Sequence, residues 1–249
     1  MHTDDPILAK VRKLLAQAED PAATPAEAEA FTAKATRLIA DYGIDRALLD
    51  ERRPGGDPVG DPVGDLVIDL DPPYANEKAT LASVVADGLR CRAVVRKGRT
   101  YDGSSFSVHV FGRRSDLVCV ELLLTSLLLQ GTQALIASRV PPWEHKAAFR
   151  RTWWLGYAGA VGARLKESEE QAAEEAEPRF AAAGTSSALV LADHAREADE
   201  AMRAAYPRLR TASSRRLTGG GHACGWASGQ RADLGTGSRL ARPPRDEIA

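Results

Sequence analysis

The stretch Leu217-Thr-Gly-Gly-Gly-His-Ala-Cys-Gly-Trp-Ala-Ser-Gly-Gln-Arg231 offers three chemistries at once: glycines that could cradle phosphate, a His222-x-Cys224 pair that could ligate metal, and small residues that could pack. A phosphate loop of the G-x-x-x-x-G-K-[ST] kind needs a lysine that is absent here, and no G-x-G-x-x-G follows a strand. A closed zinc site wants four donors in short paired spacings, and His222 and Cys224 supply two. Gly221, Gly225 and Gly229 recur every fourth residue, so they share one helical face and strip it of side chains. Gly156, Gly159, Ala160 and Ala163 form a matching small face on a second predicted helix. Because a mid-helix glycine costs roughly 1 kcal/mol against alanine, packing of these two faces is the favoured reading.

The other chemistry-bearing residues are scattered. Glu144-His145 is not H-E-x-x-H, and His194, Glu197 and His222 could form a metal-assisted hydrolytic site only if a distant ligand joined them. No G-x-S-x-G occurs, and Gly184-Thr-Ser-Ser187 reads as turn chemistry. No catalytic motif, metal set or cofactor is therefore assigned. Cys91 and Cys119 fall on predicted buried faces, and the three cysteines lack a C-x-x-C, which fits reduced thiols and a cytoplasmic protein.

The strongest functional signal is basic. Arg90, Arg92, Arg96, Lys97, Arg99, Arg113 and Arg114 crowd one predicted hairpin and its exit, interleaved with Tyr101, His109 and Phe111. Arginine beside exposed aromatic rings on a strand surface suits nucleic acid. Arg208, Arg210, Arg215 and Arg216 form a second basic group that could extend the same groove. Against this stands edge protection, since charged strand residues also prevent unwanted pairing, and a helix could cover Phe111. The candidate nucleic-acid contacts are Arg92, Arg96, Arg99, His109, Arg113 and Arg114. With 33 Lys+Arg against 34 Asp+Glu, the whole molecule exerts no steering field, so any such contact rests on a local patch.

The elements that must position these residues follow from patterning. Asp5 caps a first helix with Pro6 at its first position, and Thr24-Pro25-Ala26-Glu27 is a capping box for a second. Gly43 is the expected left-handed C-cap of that second helix. Neither helix buries its apolar stripe alone, so the hairpin, residues 1–50, is expected to dock on a partner or on its own chain.

Lys10–Asp45, "KVRKLLAQAEDPAATPAEAEAFTAKATRLIADYGID", resembles the N-terminal module of the domain-of-unknown-function family numbered 2786, found in bacteria and their phages. "VFGRRSDL", "RRTWWLGYAGAVGARL" and "ALVLADHAREADEA" are similar to the region that commonly follows that module. The family carries no assigned activity, so the resemblance implies a helical N-terminal module and no site residues.

A tandem Gly-Asp-Pro-Val repeat within residues 51–65 reads as a linker. Residues 66–234 are expected to form the second domain. A strand at Leu66–Leu70 and a helix over 76–89 precede a hairpin turning at Asp102-Gly103, which would set Arg96 opposite His109, Val95 opposite Val110 and Arg99 opposite Phe106. One hairpin face then carries Ala93, Val95, Val108 and Val110; the other carries Arg92, Arg96, Thr100, Ser107, His109 and Phe111. An apolar helix from Ser115 or Asp116 to about Ala137 falls short of a bilayer span. Next come a long helix from Trp143 to about Ala176 and a fourth strand at Ser187–Ala192. Asp193 then caps a helix to Tyr206, and residues 235–249 are read as a disordered tail. The N-terminus shows neither the basic nor the apolar region of a secretion signal.

The expected fold class is α+β: an N-terminal helical hairpin plus a small, mostly antiparallel sheet covered by helices. The leading functional expectation is a non-catalytic cytoplasmic protein associated with nucleic acid, with no membrane partner. The alternatives are a protein–protein adaptor docking through the N-terminal hairpin and the metal-assisted hydrolase.

Overall fold

The computed structural model of the protein describes residues 5–20, 25–51, 61–100, 103–210 and 217–232, and within them the fold is α+β, with seven helices and one three-stranded antiparallel sheet. Asp5 accepts a hydrogen bond from the Ile7 amide at 2.9 Å and so starts α1, Pro6–Ala18, with proline at its first turn. Leu8, Val11, Leu14 and Leu15 are buried, so the predicted stripe of α1 is in place. It packs on α2, Pro25–Glu51, in the same core as the sheet and the later helices. Thr24 and the rest of its capping box's first positions lie outside the described residues.

Gly43 does not end α2. The helix continues to Glu51 because Ile44, Ala47 and Leu48 carry the apolar face onward into a second cluster with Ala172, Ala176, Phe180 and Val190. The absent side chain at Gly43 has another use: a Cβ there would collide with the Arg90 guanidinium.

The sheet has the order β1-β3-β2, with β1 at Val63–Asp69, β2 at Arg92–Thr100 and β3 at Gly103–Arg113. β1 begins three residues before the expected position, inside the segment read as linker; residues 52–60 and 235–249 lie outside the described residues. The hairpin register also differs from expectation. Arg96 faces Ser107, Val95 faces Val108 and Arg99 faces Ser104, so Gly103 belongs to the strand and residues 101–102 make the connection. The slip is two residues, which leaves every side chain on its expected face, and hydrophobic alternation cannot detect it. Val108 and Val110 are fully buried on the inner face, with Leu66, Ile68 and Ala93 packed beside them.

Helix α3, Ala75–Gly88, and helix α4, Arg114–Ala137, cover that inner face. Helix α4 is the only one among the described residues long and apolar enough to cross a membrane, yet Leu117, Val120, Leu123, Leu124 and Leu127 are buried in the core. Helix α5, Lys146–Ala181, runs behind, and α7, His222–Arg231, lies along it.

No fourth strand exists among the described residues. Ser187–Ala205 is helix α6, which covers the outer face of the sheet. Ser186 rather than Asp193 is its N-cap, accepting from the Leu189 amide at 3.3 Å, and Glu177 accepts from the Ser187 amide at 2.9 Å. Ser187, Val190, His194 and Ala198 are its buried residues, spaced for one helical face; the run Ala188–Ala192 was too short to separate strand from helix by composition.

Candidate nucleic-acid interface and the polar cluster beneath it

The glycine-rich stretch is packing. Cβ atoms at Gly221, Gly225 and Gly229 would strike the backbone oxygens of Phe149, Trp153 and Tyr157, so α7 lies on α5 at backbone contact. Gly156 and Ala160 form the facing surface, as the spacing predicted. The amides that a phosphate would use are already engaged: Gly220 N–H donates to Glu144 Oε2 at 2.8 Å and Gly221 N–H to Thr152 Oγ1 at 3.1 Å. His222 stacks near Trp226 and Cys224 is exposed, and no cluster of three His, Cys, Asp or Glu side chains suited to a metal ion occurs among the described residues.

The six basic-hairpin candidates divide. Arg96 is exposed on β2, and Arg92, half-buried beside it, pairs with Asp87 at 2.9 Å. Arg99 lies on the same strand, though its side chain is outside the described set. Arg114 is exposed at the start of α4, about 20 Å along β3 from the level of Arg96 at roughly 3.4 Å per residue. Arg113 is buried: its guanidinium donates to the Asp61 carbonyl at 3.1 Å and pairs with Glu197 at 2.8 Å.

His109 is also mostly enclosed. Its Nε2 lies 2.9 Å from Asp65 Oδ2 and its Nδ1 lies 2.8 Å from the Tyr206 hydroxyl. Its ring sits 4.2 Å from that of Phe111, and Tyr206 closes edge-on over both rings at 5.6 and 6.0 Å. Phe111, read from the sequence as an exposed aromatic, is thus buried under the end of α6. Tyr206 was not singled out in the sequence. The one available signal was its place immediately after a predicted helix that had to cover the sheet.

Tyr206 also organises the second basic group. The chain passes directly from it into Pro207-Arg208-Leu209-Arg210, all four exposed, so Arg208 and Arg210 start from the outer face of the sheet. Arg215 and Arg216 lie outside the described residues. Asp65 and Asp69 line the opposite, β1 edge of that face, which leaves the β2 edge as its basic side.

Beneath the surface lies a polar cluster between the two hydrophobic groups. Arg90 leaves α3 in a left-handed conformation, φ 62°, uncommon for a residue with a side chain. Its buried guanidinium donates to Asp116 Oδ1 at 2.7 Å and to Glu169 Oε2. Burial opposes the Arg90 charge, but Asp116 and Glu169 together raise its pKa. Burial also pushes the Glu169 carboxyl above the usual carboxylate range, with Arg90 pulling the other way. Buried Asp61 accepts from Ser115 N at 2.9 Å and Ser115 Oγ at 2.5 Å.

His194 completes the cluster from α6. Burial first, then the charges of Arg113 and Arg90, push its imidazole down to about 4. Glu197, its neighbour one turn on, is paired with Arg113, so the two do not form a hydrolytic pair. Cys91 and Cys119 are buried close by, and burial raises both thiols.

The apolar stripe of the N-terminal hairpin, the adaptor surface of the sequence reading, is covered by this chain's own core. No curated protein and no solved structure matches the chain. Residues 7–46, which span α1 and most of α2, match the model of a family described as a protein of unknown function, DUF2786.

Proposed function

We propose that the protein associates with nucleic acid along the β2 edge of its sheet, using Arg96, Lys97, Arg208 and Arg210, as a bacterial or phage protein of the cytoplasm. The observation that carries this reading is the closure of Tyr206 over His109 and Phe111, which starts the Arg208–Arg210 segment from the face where Arg96 is exposed. Two basic segments more than a hundred residues apart then serve one surface. Lys97 adds a cation 5.7 Å over the Phe106 ring. Arginines unpaired with carboxylates are suited to phosphates, and flexible side chains of this kind adapt to a backbone of any sequence.

The test is fluorescence anisotropy with labelled single- and double-stranded DNA and RNA across a salt series. Four neutralised phosphates predict a slope of log affinity against log salt near −3 for a single strand. The variant Arg96→Glu/Arg208→Glu/Arg210→Glu should lose at least tenfold in affinity while keeping its circular dichroism spectrum. Absence of binding at about 50 mM salt, where phosphate contacts are strongest, would remove the proposal.

A further inference from the structure

We infer that Tyr206 is a nucleophile that forms a covalent phosphodiester link to a nucleic-acid strand, with His109 as its general base and Asp65 as the residue that orients His109. The inference rests on the nucleic-acid reading above and adds a reaction to it.

A carboxylate only accepts hydrogen bonds, so the 2.9 Å contact with Asp65 puts the hydrogen of the neutral imidazole on Nε2. Nδ1 is then the acceptor, and the Tyr206 hydroxyl, 2.8 Å away, donates to it. Acid, imidazole and hydroxyl form one continuous hydrogen-bonded chain, the arrangement in which a hydroxyl is deprotonated as it attacks. The ring of His109 is held between Phe111 and Tyr206, so the base has little freedom to leave its line. Tyr206 is half-buried and Asp65 mostly exposed, so the chain runs from the sheet face out to solvent. Arg208 and Arg210 follow two and four residues after the phenol, where a phosphate needs its charge met.

The step balances within the chain and the strand. Tyr206 Oη bonds to a backbone phosphorus while its proton passes to His109 Nδ1. The bond from that phosphorus to one sugar oxygen breaks, and the same proton moves from Nδ1 to the departing oxygen. Asp65 stabilises the imidazolium between the two transfers. The product is a tyrosyl phosphodiester on one strand end and a free hydroxyl on the other, and attack by a hydroxyl reverses it. No oxidant, reductant or nucleotide cofactor enters.

The whole chain is incubated with 30-nucleotide single-stranded DNA and RNA carrying fluorescein at either the 5′ or the 3′ end, then run under denaturing conditions. A labelled band at the mass of protein plus strand fragment is expected, and which label stays with the protein identifies the oxygen that leaves. Mass spectrometry should place the adduct on Tyr206. Tyr206→Phe keeps the ring contacts with His109 and Phe111 but should abolish the adduct while leaving anisotropy binding unchanged. Asp65→Asn and His109→Gln should reduce it at least tenfold. An adduct retained in Tyr206→Phe overturns the inference. So does binding without any adduct or strand cleavage, which leaves the nucleic-acid reading standing. Absence of binding removes that reading and the inference with it.

Discussion

Arg90 and Arg96 lie six residues apart on either side of the start of β2, and they meet opposite conditions. Arg90 is turned inward by a left-handed backbone and held between Asp116 and Glu169 in space cleared by Gly43. Arg96 alternates onto the outer sheet face and is exposed. A third case, Arg113, looks like Arg114 in the sequence and differs from it by burial against Asp61 and Glu197. Arginine density in this chain therefore marks two separate things. One is an internal ion network that joins α2, α3, α4 and α5; the other is a surface.

The largest way to break the contrast is Arg90→Met. Two carboxylates would then face each other without a cation, and removing one partner of a buried pair costs about 3–5 kcal/mol. Urea unfolding should show that loss for Arg90→Met and much of it recovered in Arg90→Met/Asp116→Asn/Glu169→Gln, where no uncompensated charge remains. If the triple variant were as unstable as the single one, the network's role would be packing rather than charge.

Much of the local architecture was legible before any coordinates: the Asp5 cap, the stripe of α1, the glycine face of α7 against α5, and the two faces of the β2–β3 hairpin. These depend on near neighbours or on a fixed period. Gly43 and Ser187–Ala192 misled because each local signal had two outcomes, and tertiary burial chose between them: Ile44 onward for α2, and the face through Val190 and His194 for α6. The site was less legible still. Asp65, His109 and Tyr206 meet across separations of 44 and 97 residues, and Arg113 meets Glu197 across another long one. Such pairings follow from where α6 lands on the sheet, and single-sequence periodicity carries no record of that.

A smaller effect sharpens the inner half of the comparison through pH. His194 is neutral in the folded protein down to about 4, whereas an unfolded histidine takes a proton near 6.5. Between those values the unfolded chain binds more protons, so the stability linked to His194 is present above about 6.5 and is lost as pH falls toward 4. The shift corresponds to at most about 3 kcal/mol. Glu169, raised by burial, acts in the opposite sense just above the usual carboxylate range, so part of the loss is offset at the acid end. Urea midpoints measured from pH 7 to 5 should fall in the wild type and fall distinctly less in His194→Gln. Equal slopes in the two proteins would mean that His194 is not the titrating group.

The smallest effect on stability belongs to the outer arginine. Arg96 is exposed on a strand, and exposed charges away from buried partners shift stability by about 0.5 kcal/mol or less. Arg96→Glu should therefore unfold within that margin of the wild type in urea, in the same experiment where Arg90→Met loses several kcal/mol. Its anisotropy titration, however, should move clearly, because reversing one phosphate-facing charge removes an attraction and adds a repulsion. A shallower salt slope, by about one contact, would accompany the weaker binding. A variant that lost stability like Arg90→Met would place Arg96 with the internal network; one that changed neither stability nor binding would make its exposure edge protection alone.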